Sequence, residues 1–508
     1  MRTIALLVVL ATGRLGTVNA AAQGSPFVPV SDAATALAEH LIARGVMADP
    51  SPLTRPLDRA ALVRALQAVD STALSRGERR AVSAALDDWD VRERGAFGRL
   101  DGHVGAAAAS YSERDPLELD RGVPVRRPGK TRGFVSGGLN LTLLYGPVTI
   151  VTHPYFDTRL KYDPDYEGKK DRIIAGRNAE AYVRAVWRYG EVFFGAVDRN
   201  WGPPAAQGLL VSPAPYSYDH LAVTIGTPNV HIEGLLTQLD DLNDTTGTAN
   251  HRYFVAHRLV IRPPGRTTVV LWEGNVLAGP ARQLEPWYAN LFTLGLLQQY
   301  DQNSRTNSLL GFDLETRVGR VTAFGSFLLD DIQIDKKTAA DSEPPSYGFT
   351  LGGQGGLGPA SWSAFYTRVV NLTYRTPSPP EAVMRRGVGL GRNFSDYDQL
   401  TVRAGWYAAP GVLLSPEATL VRQGAGDFRL PYPPVAAYDT TPTFLAGVVQ
   451  RTLRLAATAE LARPRYTVSA EAGVHLVRNA GHVTGASETR FVGRISVTYR
   501  FRKESVLP

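Results

Sequence analysis

The residue types that most often carry chemistry in proteins are present in this chain, but their spacing does not form an active site. Asp330-Asp331 and Asp240-Asp241 are adjacent carboxylates. Neighbouring residues on a strand point to opposite faces, so neither pair forms an acid/base dyad by itself. The nine histidines are scattered without metal-ligand spacing, and the absence of cysteine excludes disulfides and thiolate metal sites. We therefore predict no catalytic residue, no metal and no cofactor.

Motifs of common enzyme families are also missing from the sequence. The chain has no Walker loop, no Gly-x-Gly-x-x-Gly strand–helix unit, no His-Glu-x-x-His and no Gly-x-Ser-x-Gly. Gly352–Gly356 is rich in glycine, but no helix pattern follows it to present backbone amides to a phosphate. The sequence therefore predicts a non-enzymatic protein, and a hydrolase would lack a nucleophile–base pair.

Aromatic residues in the predicted connections are the best candidates for ligand binding. Aromatic faces can stack on the C–H surfaces of sugars, but membrane barrels place Trp and Tyr at both interfaces without any ligand. Both interpretations stay open for this set. Its members are Tyr155, Tyr162, Tyr166, Trp201, Tyr216, Tyr218, Trp287, Tyr288, Tyr397 and Tyr432.

The N-terminal region has the pattern of a secretory signal peptide. Arg2 precedes an apolar run from Ile4 to Ala11, and Ala20-Ala21-Ala22 supplies small residues for cleavage. We predict that residues 1–22 are removed. No later segment has the roughly 18 consecutive apolar residues of a membrane-spanning helix. A mature chain in a membrane must therefore cross it as a closed barrel.

Residues 31–93 carry three short amphipathic helix patterns. Their predicted caps and ends are, in chain order, Ser31-Asp32, Gly45, Pro56 and Ser75. Short helices of this kind must bury their apolar stripes against each other or against a larger body. We predict a small periplasmic helical domain over residues 23–95. A loose similarity to S-layer-homology modules leaves peptidoglycan as an alternative partner for it.

From about residue 97 onward the pattern changes to two-residue alternation in segments of ten to fifteen residues. Such segments are about twice as long as the strands of about 5–6 residues in soluble sandwiches, and they suit strands that cross a bilayer at a tilt. We predict a transmembrane antiparallel β-barrel over residues 96–508, with its apolar face against outer-membrane lipid. Leu455, Val474 and Val497 belong to that face. Charged residues predicted to face the lumen are Arg184, Arg188, Arg258, Arg262, Glu273, Asp330, Arg454, Glu460, Glu471, Arg494 and Arg500.

The connections between these segments alternate between tight turns and longer loops. Eight tight turns and nine longer connections join eighteen strands and leave both termini on the periplasmic side of the outer membrane. Trp287–Gln299 resembles a strand, but including it would break the alternation. We predict that this segment belongs to a loop that folds into or over the lumen.

The net charge of +7 comes from basic residues scattered along the chain. No Lys/Arg block and no aromatic-plus-basic motif accompanies them, so we predict no nucleic-acid partner.

One motif resembles a known family. Asp198-Arg199-Asn200-Trp201-Gly202-Pro203 follows a predicted strand and precedes Gly208-Leu209-Leu210-Val211-Ser212-Pro213. This is similar to the Wzi family of capsule-assembly proteins, in which a strand ending in Arg-x-Trp-Gly-Pro precedes a Leu-x-Leu-Ser loop. Residues 269–274 and 324–332 look like two further strands of that family. The chain departs from it at Ser212–Tyr218, where an asparagine-rich stretch is expected.

The resemblance implies an eighteen-stranded barrel with a helical bundle and a lectin-like role. In that role the protein would attach or organise exported capsular or extracellular polysaccharide at the cell surface. The alternative is an outer-membrane porin or solute channel, which needs an open lumen where the Wzi-like interpretation needs loops that close it. Candidate polysaccharide contacts or family-motif residues are Asp198, Arg199, Trp201, Gly202, Pro203, Tyr216 and Tyr218.

Overall fold

The computed structural model describes residues 23–89, 96–110, 130–263, 265, 267–302, 305–331 and 342–506. The predicted signal peptide lies outside these residues, and so does most of the first longer connection, which the sequence predicts over residues 112–131. Among the described helices, none has the length and apolar character needed to cross a membrane.

Eighteen antiparallel strands form a closed barrel, as predicted. In chain order they are β1 (Ala96–Ala109), β2 (Arg132–Tyr145), β3 (Val148–Asp157), β4 (Ala175–Trp187), β5 (Gly190–Ala196), β6 (Asp219–Gly226), β7 (Val230–Asn243), β8 (Ala249–Ile261), β9 (Thr267–Gly279), β10 (Thr306–Val318), β11 (Val321–Asp331), β12 (Ser346–Leu357), β13 (Ala360–Val369), β14 (Tyr397–Ala409), β15 (Val412–Gln423), β16 (Gln450–Ala462), β17 (Tyr466–Arg478) and β18 (Ser487–Val506). Each strand pairs with its neighbours in the sequence, and β18 pairs with β1 to close the wall.

The predicted alternation of connections is confirmed. Eight connections of two to five residues lie at one end of the barrel, which we call the short-turn end. The nine others start and end at the opposite, long-loop end, and all except the five-residue β7–β8 connection (244–248) are longer than five residues. Glycine supplies the left-handed backbone that a two-residue turn needs, as at Gly146 with φ 53° and Gly319 with φ 63°.

The outer face of the wall is apolar where the sequence predicts it. The side chains of Leu455 and Val497 are 45% and 48% exposed on the outside of the barrel. Arg454 points the other way and forms an ion pair with Glu417 inside the lumen. A strand with a water-compatible inner face and an apolar outer face is the pattern of a membrane barrel.

Three helices precede the barrel: α1 (Ala33–Ala43), α2 (Arg59–Gln67) and α3 (Arg76–Asp88). Asp32 caps α1, and Ser75 forms a capping box with Glu78 at the start of α3. The predicted start of the second helix at Pro56 is wrong. Asp58 caps α2 instead, because its side chain accepts the N–H of Ala61.

This helical segment packs against the short-turn end of the barrel. The Gly24 N–H donates to the carbonyl of Gly146 in the β2–β3 turn at 2.7 Å. Arg44 Nε donates to the Gly358 carbonyl in the β12–β13 turn at 3.1 Å. Arg317 of β10 donates to the Gly45 carbonyl at 3.2 Å. The helices thus cover this end of the barrel and attach to several of its turns.

Trp287–Gln299 is not a wall strand, as predicted, but the prediction that it folds into or over the lumen is wrong. The β9–β10 loop contains two short helices, α4 (Pro286–Ala289) and α5 (Gly295–Gln302), and lies on the outer face of the wall. Tyr288 packs on Val255 and Leu277, which point outward from β8 and β9. Apolar residues on both sides of this part of the wall made the inner and outer faces hard to distinguish in the sequence.

The predicted inward orientation of Glu273 is wrong for the same reason. Its neighbour Trp272 packs in the lumen core, so alternation turns Glu273 outward. There the carboxylate accepts the N–H of Gly295 in the β9–β10 loop at 2.8 and 3.1 Å.

Candidate functional site

Two long loops fill one side of the lumen. The β5–β6 loop (197–218) and the β13–β14 loop (370–396) bring buried apolar side chains against the inner faces of β7–β12. Loop residues in this cluster include Leu209, Leu210, Val211, Tyr374, Val383, Leu390 and Phe394. We call the cluster the lumen core. It places buried side chains where an empty barrel of this size would contain water.

Hydrogen bonds tie the loops of the lumen core to each other. The Tyr374 hydroxyl donates to the Leu209 carbonyl at 2.5 Å, and the Ser212 N–H donates to the Leu390 carbonyl at 2.8 Å. Asp396 Oδ2 accepts the backbone N–H groups of Gly426 and Ala446, both at 2.9 Å, from the β15–β16 loop. Three loops are therefore joined at the long-loop end.

The Trp-Gly-Pro motif lies inside the lumen core. Trp201 is 3% exposed, and the guanidinium carbon of Arg258 lies 4.3 Å from the centroid of its ring. Its backbone pairs with Thr54 of the N-terminal segment, and the Gly202 N–H donates to the Leu53 carbonyl at 3.0 Å. Pro203 is buried beside them, and its carbonyl accepts the Ala206 N–H at 3.1 Å. The motif joins the N-terminal segment, a loop and the wall.

Arg199 and Tyr218 are also buried. Arg199 Nε donates to His220 Nε2 at 2.7 Å, and its guanidinium carbon lies 4.6 Å from the Phe193 ring. Burial lowers the pKa of Arg199, although the carboxylates of Glu191 and Glu233 oppose that change. Burial raises the pKa of Tyr218 to about 12. Tyr218 is enclosed by protein, whereas Arg199 also lines a cavity of about 470 Å³ beside the N-terminal segment.

The other side of the lumen contains a cavity of about 350 Å³ toward the long-loop end, which we call the upper cavity. A second cavity of about 370 Å³, the lower cavity, runs from it along the N-terminal segment toward Trp89. The two are joined through common lining residues, which are Ser31, His103, His153, Tyr155, Arg177, Ala179 and Arg494. Volumes in this range suit small-molecule ligands.

Aromatic, cationic and carboxylate groups converge on the upper cavity. Arg177 stacks 4.4 Å from the Tyr216 ring, and the Tyr216 hydroxyl donates to Asp163. The Tyr155 hydroxyl donates to Asp157 at 2.7 Å. The Arg494 side chain also lines this cavity. Such a wall can stack on a sugar ring and hydrogen-bond its hydroxyls.

The predicted site residues therefore separate into two groups. Tyr216 lines the upper cavity and Asp198 lines the lower one. Arg199, Trp201, Gly202, Pro203 and Tyr218 are buried at the motif.

The sequence analysis did not single out two histidines of the cavity. His103 on β1 and His153 on β3 lie with their ring centroids 5.7 Å apart. Two-residue alternation on β1 and β3 would have placed both inside, but pairing across β2 is not readable from local sequence. Among the described residues no group of three or more His, Asp or Glu side chains is arranged to hold a metal.

No protein-family model matches the chain, and no curated protein matches it. Among solved structures, it is similar to Wzi, an outer-membrane protein involved in group 1 capsule assembly in Escherichia coli and described as a carbohydrate-binding β-barrel. The identity is 12%, the match covers 94% of this chain and 99% of Wzi, and the TM-score is 0.59. This similarity shows a common barrel fold.

Two further matches are Pseudomonas aeruginosa proteins. OccK3 (OpdO) is 11% identical over 80% of this chain and 96% of its own, with a TM-score of 0.45. The outer-membrane protein OpdK is 12% identical over 81% and 99%, with a TM-score of 0.45.

Proposed function

We propose that this protein is a non-enzymatic, lectin-like barrel of the outer membrane that attaches or organises exported polysaccharide at the cell surface. The observation that carries the proposal is the lumen core, in which loops tied by Tyr374–Leu209 and Ser212–Leu390 hydrogen bonds occupy the channel. A polymer-holding protein tolerates a filled lumen, whereas a porin needs an open one. The carbohydrate binding named for Wzi agrees with this proposal.

In the proposed orientation the short-turn end faces the periplasm and the long loops face outward, as in other outer-membrane barrels. Both described ends of the chain then lie on the periplasmic side. We propose the division into a signal peptide (1–22), a periplasmic helical domain (23–95) and a barrel (96–508). The apolar stripes of the helices pack within the segment and against Tyr407 of the wall. Peptidoglycan binding by this domain stays a prediction.

The upper cavity is the proposed sugar site. Tyr216 and Tyr155 offer aromatic surface, and Arg494 and Arg177 offer hydrogen-bond donors. Weak contacts to one repeat unit would be multiplied along a polymer held by many barrels on the same cell, because later contacts form at a high effective concentration. We propose a structural role for the buried Trp-Gly-Pro motif.

The test compares cell-bound and released polysaccharide. Deleting the protein should leave polymer synthesis intact and shift polymer from the cells to the medium. Combined Tyr216→Ala and Arg494→Gln should reproduce much of that shift. The matched control is Tyr189→Ala with Arg451→Gln, since these residues are exposed and away from the cavity. Unchanged partitioning in both the deletion strain and the cavity variant would contradict the proposal.

A porin or solute channel is the second candidate. The observation in its favour is the pair of joined cavities, which run between the long-loop end and the helical segment. Loss of uptake of a small solute in the deletion strain, with polysaccharide partitioning unchanged, would favour this function instead.

A further inference from the structure

Residues 280–302 of the β9–β10 loop cover a polar patch on the outside of the barrel. Glu273 lies midway along the 13 residues of β9 and points outward, yet it is only 3% exposed. Asn275 and Ser308 lie beside it on the same outer face, and His257 Nδ1 is 3.4 Å from Glu273 Oε1. We call these four residues the outer polar patch. Such groups would be costly in contact with lipid.

Specific contacts hold the loop on this patch. The Gly295 N–H donates to both carboxylate oxygens of Glu273, and the Tyr288 hydroxyl donates to Thr306 Oγ1 at 3.1 Å. Leu291 packs against the wall at Gly234, where a Cβ would come within 2.2 Å of its side chain. The glycine leaves the space that this leucine occupies.

The opposite side of the loop is apolar and exposed. Phe292 is 78% exposed, Leu294 59%, Leu297 56% and Trp287 40%. The nearby wall residues Leu271 and Phe312 are also exposed, at 51% and 44%. A loop in water normally turns its apolar side inward and its polar side outward. This loop does the reverse, and its exposed surface continues the apolar outer wall.

We propose that the β9–β10 loop is embedded in the lipid, where it shields the outer polar patch and contacts acyl chains. The occupant of its apolar surface is therefore lipid rather than a second protein. The inference depends on the membrane location in the proposed function, and it extends that proposal because nothing in polysaccharide binding requires a lipid-embedded loop. The hydrogen bonds to Glu273 fix the loop where the wall would otherwise expose a carboxylate.

The absence of cysteine permits a direct test with single labels. Phe292→Cys, Leu271→Cys and Thr245→Cys are each labelled with an environment-sensitive fluorophore in the full mature protein in phosphatidylcholine vesicles. Leu271 represents the lipid-facing wall, and Thr245 represents an exposed long-loop position. Doxyl groups on the acyl chains should quench the label at 292 about as strongly as that at 271. Iodide in the water should quench it at least about threefold less than that at 245.

A label at 292 that is quenched like the label at 245 would overturn the proposal. A label at 292 that is shielded from both doxyl groups and iodide would indicate a protein partner and would also overturn it. If the label at 271 also fails to contact lipid, the membrane location itself is wrong.

A second test concerns the shielding role. Replacing residues 284–302 with a short linker should lower the yield of membrane-inserted barrel. Adding Glu273→Leu and Asn275→Leu to that truncation should restore much of the yield, because the exposed wall would then lose the carboxylate and the amide of the outer polar patch. Full insertion of the truncated chain with Glu273 intact, or no restoration by the two substitutions, would overturn the shielding role.

Discussion

Leu455 and Val483 are both exposed apolar residues, at 45% and 60%, but they face different surroundings. Leu455 is on the outer face in the middle of β16, whereas Val483 is in the β17–β18 loop. Leu455→Lys should lower the free energy of unfolding in lipid vesicles by about 2–4 kcal/mol if it lies at mid-depth. Val483→Lys should change it by at most about 0.5 kcal/mol. Equal effects in urea titrations would contradict the assignment of the outer face to lipid.

A buried carboxylate sets the pH response of the helical segment. Burial alone would raise the pKa of Glu78, but hydrogen bonds from His40, Ser75 and Arg44 outweigh it and lower the pKa from 4.5 to about 2. Because the pKa is lower in the folded state, the ionised Glu78 stabilises the fold above pH 4.5. That stabilisation is lost as the pH falls toward 2.

We therefore expect hydrogen exchange in α1 and α3 to accelerate as the pH falls through this range, after correction for the intrinsic pH dependence of exchange. Glu78→Gln should be less protected at neutral pH and should lose most of the acid-dependent change. Asp87→Asn, at an exposed position of α3, is the control and should behave like the wild type. A Glu78→Gln profile that follows the wild type would show that other groups control the response.

The backbone of the β5–β6 loop depends on Gly202. Its φ is 139°, and a Cβ there would lie 3.2 Å from the Gly208 Cα. Gly247 has φ 85° but open space around it. Alanine at either position incurs a backbone cost of about 1–2 kcal/mol. Only Gly202→Ala should also loosen the lumen core, seen as faster hydrogen exchange in residues 197–218. Equal exchange in both variants would contradict this.

The wall was predictable from sequence because lipid on one side and a polar lumen on the other impose alternation on every strand. Leu455 and Arg454 on β16 follow that rule, and the short turns fix the strand count. The rule fails on β9, where the lumen core covers Trp272 and a loop covers Glu273. With both faces buried by protein, alternation still separates the two faces but no longer says which one is inside.

The cavity was less predictable than the wall. Tyr216 could be proposed from its residue type, but its partners Asp163 and Arg177 come from different parts of the chain. The path of a long loop depends on tertiary contacts rather than on local pattern. The Trp-Gly-Pro motif was found because it is a short, distinctive sequence, yet only the structure places it in a buried junction.

The ion conductance of the whole molecule depends on how much of the lumen is open. Barrels of about 16–18 strands leave an aqueous channel when nothing fills them. Here the lumen core occupies one side of the lumen. The helical segment covers the short-turn end, where Gly24 and Arg44 donate hydrogen bonds to turns of the wall and Arg317 of β10 donates one to the segment. The two joined cavities reach Trp89, and beyond it a further cavity of about 420 Å³ lies between α1, α3 and the β14–β15 and β16–β17 turns. Ion flow should therefore be limited mainly by the helices.

We expect the intact protein to show little conductance in planar bilayers and a variant lacking residues 24–88 to conduct several-fold more. The variant keeps the lumen core loops, so its conductance should stay below that of an empty barrel of the same strand number. Heat-modifiable migration in gels would verify that the variant still folds as a barrel. Trp89→Ala, which enlarges the two cavities that Trp89 lines, is the matched control, and this variant should conduct little because the helices stay in place. High conductance of the intact protein would mean that the joined cavities already form a channel, and it would favour the porin over the polysaccharide-holding function.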